Sequence, residues 1–365
     1  MEPWLRFSPK LLEAANTVAK EVLRLRKGER ALIITNPIKD VLEISQALYK
    51  AFAERGALPA LIVQPVKSSF DYMSAEVRSA LASEPQVVCS ISFERLGKDP
   101  TCLKNPLTAS DGKAYDNIFE FLLAEKKIRA VWTPGITKRI FTETVPINYG
   151  RLRRRCALVK KRLTGASEVK VQTSKGTDSS FSVKGREPRV DDGNFAELGR
   201  GGNLPAGEIF VSPVVGSSEG TIVVDGSISM EKTVLVKTPM KIEVKDGYAA
   251  KILGGAEAKT LRRLIQKAAK QPFRLVKEGV LSDATASEYS KNARHVGEFG
   301  IGLNDKAKVK GNVLEDEKAL GTVHVALGSN YDEDAKALIH YDGVIKKPTV
   351  WIDGDLLIEE GKLKV

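Results

Sequence analysis

Cysteine and histidine are scarce in this sequence of 365 residues, which holds three of each. Cys89, Cys102 and Cys156 show no CxxC spacing and are odd in number, which argues against a disulfide framework or a cysteine-based zinc site. A reduced, cytoplasmic protein is therefore expected. No stretch approaches about eighteen uncharged apolar residues, so no membrane span is predicted. Residues 1–22 carry acids and amphipathic periodicity without the apolar core of a signal peptide.

Recognised nucleic-acid-binding motifs are also lacking, although the formal net charge is +11. The densest basic run, RLRRR at Arg151–Arg155, has helical spacing with an apolar stripe formed by Leu152, Cys156, Val159 and Leu163. We interpret this run as the solvated face of a helix, because no RNA-binding aromatic motif, helix-turn-helix signature or zinc finger accompanies it. No nucleic-acid partner is expected.

Strand and helix patterns alternate through the first 165 residues. Strands are predicted at 30–35 and in QVVCSISFE, and amphipathic helices at 40–54, 74–83 and 115–126. This pattern is typical of a doubly wound parallel sheet with helices between its strands. The first turn reads TNPIKD and holds neither GxGxxG nor a P-loop, so a nucleotide-binding function has no support.

Shorter β-rich runs follow from about residue 166 to residue 365. Hairpin turns are predicted at Lys175-Gly176, Asp246-Gly247 and Asp353-Gly354, and one helix at about Glu257–Gln271. The expected fold is therefore an α/β N-terminal domain over 1–165, followed by a β-rich α+β domain over 166–365. All the candidate metal ligands lie in this second domain.

The three histidines, His295, His324 and His340, all fall in one short segment that ends at Asp342. Neutral imidazole and carboxylate are common ligands of divalent metals. In the strand-like run IHYDGVI, His340 and Asp342 are two residues apart, so their side chains share a face. In TVHVALG, the alternation places His324 on the face opposite Val323.

Two glutamates complete the candidate ligands. Glu208 opens an apolar strand after a Pro- and Gly-rich break, and Glu298 lies in the run GEFGIGLN. The glycines of that run are expected to adopt backbone geometries closed to other residues. Any one of these polar residues alone could simply decorate a strand face, but the set as a whole favours a metal site. The glycines of the run GEFGIGLN are Gly297, Gly300 and Gly302.

Four motifs in this order, GGNLPAGEIF, GEFGIGLN, TVHVALGSN and IHYD, resemble those of the aminopeptidase T and aminopeptidase S family of metallopeptidases. The resemblance spans nearly the whole second domain. It implies a two-metal aminopeptidase, typically a homodimer. It also places a tyrosine of the family at Tyr331, seven residues beyond His324. The metal ligands that it implies are Glu208, Glu298, His324, His340 and Asp342.

A site of this kind would hold two divalent ions, with zinc, cobalt, manganese and iron all compatible with the ligands. The ions would activate a shared water that hydrolyses the N-terminal residue of a peptide or small-molecule substrate. Either Glu298 or Glu208 could serve as the general base. Tyr331 could stabilise the oxyanion, contact a metal or simply pack at a turn. His295 is expected to orient a ligand rather than to bind metal itself.

The main alternative is an iron(II) dioxygenase that opens dihydroxypyridine rings, since such enzymes resemble the same family. They use a His/His/Asp site, with a histidine where Glu298 stands and without a match to His324. The retention of both residues favours the hydrolase, whereas a triad of His295, His340 and Asp342 would favour iron. A scaffold with a vestigial site predicts apolar replacements among the ligands, and none is found. A nucleic-acid-binding module rests on net charge alone.

Overall fold

The computed structural model describes residues 7–68 and 70–364. The chain forms two compact units, and each consists of two segments. Unit 1 is Met1–Arg153 with Asp191–Ala206, and unit 2 is Arg154–Val190 with Gly207–Val365. A single boundary near residue 165 was predicted, and the return of residues 191–206 to unit 1 was not. Residues 1–6, the start of the amphipathic stretch noted at 1–22, lie outside the described part.

The elements of the first half alternate between helix and strand, as the sequence predicted. They are α1 (Pro9–Thr17) with a π-helical turn (Val18–Val22), β1 (Arg30–Thr35), α2 (Lys39–Glu54), β2 (Leu58–Val63), α3 (Ala75–Ala82), β3 (Val87–Ile91), α4 (Pro100–Lys104), β4 (Leu107–Thr108), β5 (Ala114–Tyr115), α5 (Ile118–Ala124), β6 (Arg129–Trp132), α6 (Lys138–Thr144) and α7 (Tyr149–Leu163).

The second half is mostly strand. Its elements are β7 (Glu168–Gln172), β8 (Asp178–Ser182), β9 (Arg189–Asp191), β10 (Gly201–Asn203), β11 (Glu208–Val211), β12 (Glu219–Val224), β13 (Ser227–Ile228), β14 (Val234–Leu235), β15 (Met240–Lys245), β16 (Tyr248–Leu253), α8 (Ala256–Lys277), α9 (Asp283–Asn292), β17 (Val296–Gly302), α10 (Val313–Asp316), β18 (Thr322–Gly328), β19 (His340–Lys346), β20 (Thr349–Ile352), β21 (Asp355–Glu359) and β22 (Lys362–Leu363).

Unit 1 is built on a parallel sheet of order β10-β6-β3-β1-β2. Leu32, Ile34 and Val88 point from this sheet into a buried cluster that also holds Val77 of α3 and Leu122 of α5. The predicted parallel sheet is therefore confirmed. Strand β10 was missed, because its sequence Gly-Gly-Asn lacks the apolar, β-branched residues that predict strands.

Unit 2 contains two large sheets, one of seven strands in the order β14-β13-β19-β18-β17-β11-β9 and one of eight in the order β16-β15-β12-β8-β7-β20-β21-β22. The predicted hairpin at Asp246-Gly247 joins β15 to β16, with φ of 51° and 82° at its two turn residues. Both angles are positive, as a type I′ hairpin turn requires. This β-rich unit with its helices confirms the predicted α+β character of the second half.

Helix α8 is longer than the sequence predicted. The prediction ended it at about Gln271, yet the helix runs through the buried Pro272 to Lys277. A proline inside a helix removes one intrahelical hydrogen bond and bends the helix, but it does not have to end it. In the part of the chain that the structure describes, no helix combines the length and apolar character needed to cross a bilayer.

The basic run lies on α7, and its predicted apolar stripe is buried. Part of the run serves the fold. Within unit 1, Arg153 donates to the backbone carbonyl of Gly193, at 3.1 Å. Within unit 2, Arg155 donates to the carbonyl of Leu303 and lies 3.3 Å from a carboxylate oxygen of Asp305. These contacts engage two of the arginines of the run in intramolecular interactions.

Candidate metal centre

The five predicted ligands lie on one face of the seven-stranded sheet, which we call the ligand face. In an antiparallel pair, residues directly opposite each other project to the same side. The strands β11, β17, β18 and β19 are neighbours, and their register aligns the ligands with small residues. The opposed residues are Glu208 with Gly302, Gly300 with His324, Glu298 with Ala326, Ala326 with Asp342, and Gly328 with His340.

The glycines of β17 are needed to leave space for neighbouring atoms and not for an unusual backbone conformation. The sequence predicted unusual backbone geometry for Gly297, Gly300 and Gly302, but none of them has a positive φ. A Cβ atom at Gly300 would lie 2.0 Å from His324 Nε2, and one at Gly302 would lie 2.2 Å from the Ala319 carbonyl oxygen. The expectation was therefore wrong, because what these positions require is the absence of a side chain.

Glu298, His340 and Asp342 form one group of donor atoms that lie within 4.8 Å of one another. The His340 Nε2 atom lies 3.4 Å from Glu298 Oε2 and 3.2 Å from Asp342 Oδ1. The other ring nitrogen, Nδ1, donates a hydrogen bond of 2.8 Å to the Ser329 carbonyl. This bond fixes the ring so that Nε2 faces the carboxylates, as is usual for a metal-binding histidine.

Glu208, Glu317 and His324 form a second group, again within 4.8 Å of one another. The His324 Nε2 atom lies 2.8 Å from Glu298 Oε1 and 3.7 Å from Glu208 Oε2. The buried Glu208 Oε2 and His324 Nδ1 atoms have no hydrogen-bond partner among the described residues. Buried polar atoms without a partner are rare, so an additional ligand at this site fits the structure.

The sequence reasoning missed two residues of this cluster, Glu317 and Lys318. They follow the short helix α10, in the turn that leads into β18. Lys318 is fully buried, with its Nζ atom 2.8 Å from Glu208 Oε1 and 2.5 Å from Glu317 Oε1. Lysine is almost never fully buried, so the residue type alone predicts a position at the surface. The signal available was its position six residues before His324, in the segment DEKALGTVH.

The carboxylates hold positive charge on the histidines. Burial disfavours the charged form of His324, but its hydrogen bond with Glu298 prevails and raises the pKa to about 9. Burial works against ionisation of Asp342, yet the charge and hydrogen bond of His340 lower its pKa to about 2. The pKa of His340 itself is raised well above its ordinary value by Asp342 and Glu298, against the effect of burial. A bound cation would replace these protons, so the donors fit a metal.

Tyr331 borders the ligand face, with 46% of its surface exposed. Its ring centroid lies 5.0 Å from that of Phe210 and 5.4 Å from that of His340. Arg189 donates to the Tyr331 carbonyl at 2.6 Å, and its guanidinium lies 5.7 Å from the ring. Partial burial, and then the charges of Glu298 and Asp342, raise the pKa of Tyr331 well above its usual value, so the hydroxyl remains a donor at neutral pH.

His295 belongs to neither group of donors within the described residues. It is fully buried, and its ring packs against that of Tyr248 at 5.5 Å. Neither ring nitrogen has a hydrogen-bond partner in the described part of the chain. The structure thus brings together the other two histidines with the four acids of the cluster, and it does not assemble the alternative triad of His295 with His340 and Asp342.

Comparison with known families matches residues 137–365 to the model described as NicX, 2,5-dihydroxypyridine 5,6-dioxygenase. Similar solved structures include 2,5-dihydroxypyridine dioxygenase from Pseudomonas putida KT2440, with a TM-score of 0.75 and 16% identity over 99% of both chains. Wild-type AmpT from Thermus thermophilus has a TM-score of 0.66 and 18% identity, over 99% of this chain and 100% of that chain. No curated protein matches the sequence.

These findings confirm the resemblance and correct the activity that it implied. Both the AmpT fold and the dioxygenase fold match the chain, so the predicted relation is confirmed. The family model, however, is that of a dioxygenase, which is an oxidoreductase. The predicted metallo-aminopeptidase activity, a hydrolase activity, is therefore wrong. The prediction relied on Glu298 and His324, but such donors define a metal site and leave the reaction open.

Substitution of Gly300 by alanine tests the space that β17 leaves for His324. The added methyl group would overlap the imidazole, 2.0 Å from Nε2, and would push the ring away from Glu298. We expect a folded protein whose affinity for iron(II) or cobalt(II) falls about 10- to 100-fold, measured by calorimetry. Gly150→Ala, at an exposed position of α7 without a positive φ, meets only the Asn148 side-chain oxygen at 3.3 Å and is the control. Unchanged affinity in Gly300→Ala would show that the His324 position does not matter for metal binding.

His295 predicts a pH dependence of stability. Burial lowers its pKa from 6.5 to about 4, so the unfolded chain takes up a proton at a higher pH than the folded chain does. Its contribution is complete above about pH 6.5 and is lost as the pH falls toward 4, by about 3 kcal/mol at most. The free energy of unfolding of His295→Gln, from urea titrations between pH 7 and 4.5, should therefore fall less than that of the native chain. If the free energy of unfolding changed with pH equally in the two proteins, this would contradict the lowered pKa assigned to His295.

Proposed function

Because the chain belongs to the family of 2,5-dihydroxypyridine 5,6-dioxygenases, we propose that it is an iron(II)-dependent dioxygenase that cleaves a dihydroxylated aromatic ring. The observation that carries the proposal is the buried group of Glu298, His340 and Asp342 beside the half-exposed ring of Tyr331. The group supplies metal donors, and the ring supplies an apolar surface on which a flat substrate can stack.

Glu298, His340 and Asp342 are the residues that would hold the iron. Iron(II) bound there supplies the one-electron chemistry that dioxygen needs to react with an aromatic ring. The set differs from the common arrangement of two histidines and one carboxylate, since it has one imidazole and two carboxylates. His324 supplies the second imidazole nearby, 2.8 Å from Glu298 Oε1, where it orients that carboxylate. The donors would thus form an oxygen-rich variant of the iron site.

The remaining residues would bind and orient the substrate. The aromatic ring would stack on Tyr331, whose position is held by Phe210 and by Arg189. The protonated Tyr331 hydroxyl can donate a hydrogen bond to a ring oxygen. Glu208 Oε2, buried and without a hydrogen-bond partner among the described residues, can accept one from a substrate hydroxyl. Polar recognition of both ring hydroxyls would distinguish a dihydroxylated ring from its monohydroxylated analogue.

Oxygen uptake tests the proposal. The chain, loaded with iron(II) under argon, is mixed with 2,5-dihydroxypyridine and oxygen, and an oxygen electrode follows the reaction. We expect one dioxygen consumed per ring opened, without an added reductant, because the ring itself supplies the electrons. With labelled dioxygen, both atoms should enter the product. The zinc-loaded chain and the analogue 2-hydroxypyridine are the controls, and uptake equal to that of the zinc-loaded chain would reject ring cleavage.

Glu298→Gln tests the ligand assignment. The substitution removes one negative charge from the group and preserves the side-chain shape, so the protein should remain folded. We expect the rate of oxygen uptake to fall about 100-fold or more, with a lower iron content after dialysis. The exposed Glu278→Gln changes the same charge on the surface and should match the native chain. A Glu298→Gln variant with native turnover and iron content would remove Glu298 from the ligand set.

A further inference from the structure

The strongest unexplained feature of the ligand face is a buried ammonium group. Lys318 has no exposed surface, and its Nζ atom lies 2.8 Å from Glu208 Oε1 and 2.5 Å from Glu317 Oε1. A buried charge is tolerated only when it is paired, and here it is paired twice. The two carboxylates that pair with it are two of the three residues in the second group of donors.

We infer that the Lys318 ammonium stands in the place of a second metal ion, so that the site holds a single metal at Glu298, His340 and Asp342. A second cation among Glu208, Glu317 and His324 would have to share both carboxylates with the ammonium. Two positive charges would then lie within a few ångströms of each other in a buried, poorly screened environment, where like charges repel strongly. Lys318 thus supplies a fixed positive charge and blocks the second position.

In this arrangement His324 has a different role from the predicted one, which was to bind a metal ion. With no ion in the second group, its Nε2 atom is left with the 2.8 Å contact to Glu298 Oε1. A hydrogen bond there holds the carboxylate with its other oxygen, Oε2, toward His340, from which it lies 3.4 Å. His324 is therefore a positioning residue for the single metal site, and it acts through Glu298.

The inference rests on the metal site of the proposed function and is independent of the ring-cleavage chemistry. An ammonium offers three donor hydrogens and no coordination position, so it cannot bind a substrate or activate a water as a metal does. It does neutralise part of the charge of the acidic cluster. The site would then have only one metal ion at which exogenous ligands can coordinate.

Metal stoichiometry tests the inference directly. The metal-free chain and Lys318→Met are titrated with cobalt(II) by calorimetry, and bound metal is counted by mass spectrometry after desalting. We expect one cobalt per native chain and two per Lys318→Met chain, since methionine has a similar length without the charge. The exposed Lys306→Met should bind one, like the native chain. Two ions in the native chain, or one in a folded Lys318→Met variant, would overturn the inference.

A second variant decides the matter if Lys318→Met fails to fold, since that variant leaves two buried carboxylates unpaired. Glu317→Gln keeps the lysine and removes one of its partners. If Glu317 pairs only with the ammonium, this variant still binds one cobalt with an affinity within about threefold of native, whereas His340→Ala binds none. Loss of the ion in Glu317→Gln would overturn the inference. One ion without ring cleavage would reject the proposed function alone.

Discussion

The charge balance of four acids gathered at one buried site is the constraint on which the second unit depends. Glu208, Glu298 and Asp342 are buried and lie on the ligand face, and Glu317 joins them from the turn before β18. Isolated buried carboxylates are too costly to persist, so each must be paired or must bind a cation. Lys318 neutralises part of this charge. The rest can be balanced by protons on the histidines or by a metal ion, so the cluster could hold a metal.

The sheet meets this constraint through its register and its small residues. Four adjacent strands bring the ligands together on one face, and the positions between them are filled by Gly300, Gly302, Ala326 and Gly328. A larger side chain at Gly300 would occupy the space of the His324 ring. On the opposite face, Phe299 packs against Phe181 at 5.0 Å, which anchors β17 in the core. Rigid strands therefore position the donors, as precise metal sites require.

Much of this site can be predicted from sequence where the signal is local. The two-residue spacing of His340 and Asp342 is enough to place both on one face. Glu208, Glu298 and His324 lie apart in the chain. Their residue types suggested a metal site, but only the resemblance assigned each of them as a ligand, since strand register cannot be inferred from any one segment. Lys318 was not predicted to belong to the site, because a lone lysine in a sequence gives no indication that it is buried. Its role depends on Glu208, which lies 110 residues earlier.

The activity was mispredicted for a related reason. The same carboxylates and imidazoles suit a hydrolase with two metals and a dioxygenase with one, so the residues of the ligand face cannot separate the two. The two activities differ in the number of metal ions that the site holds and in the side chains that lie beside those ions. In our inference, a fixed ammonium takes the place of the second metal and supplies one positive charge there, and Tyr331 adds an aromatic surface next to His340. Under this inference, a single substitution at position 318 would alter the metal count while every ligand remains in place.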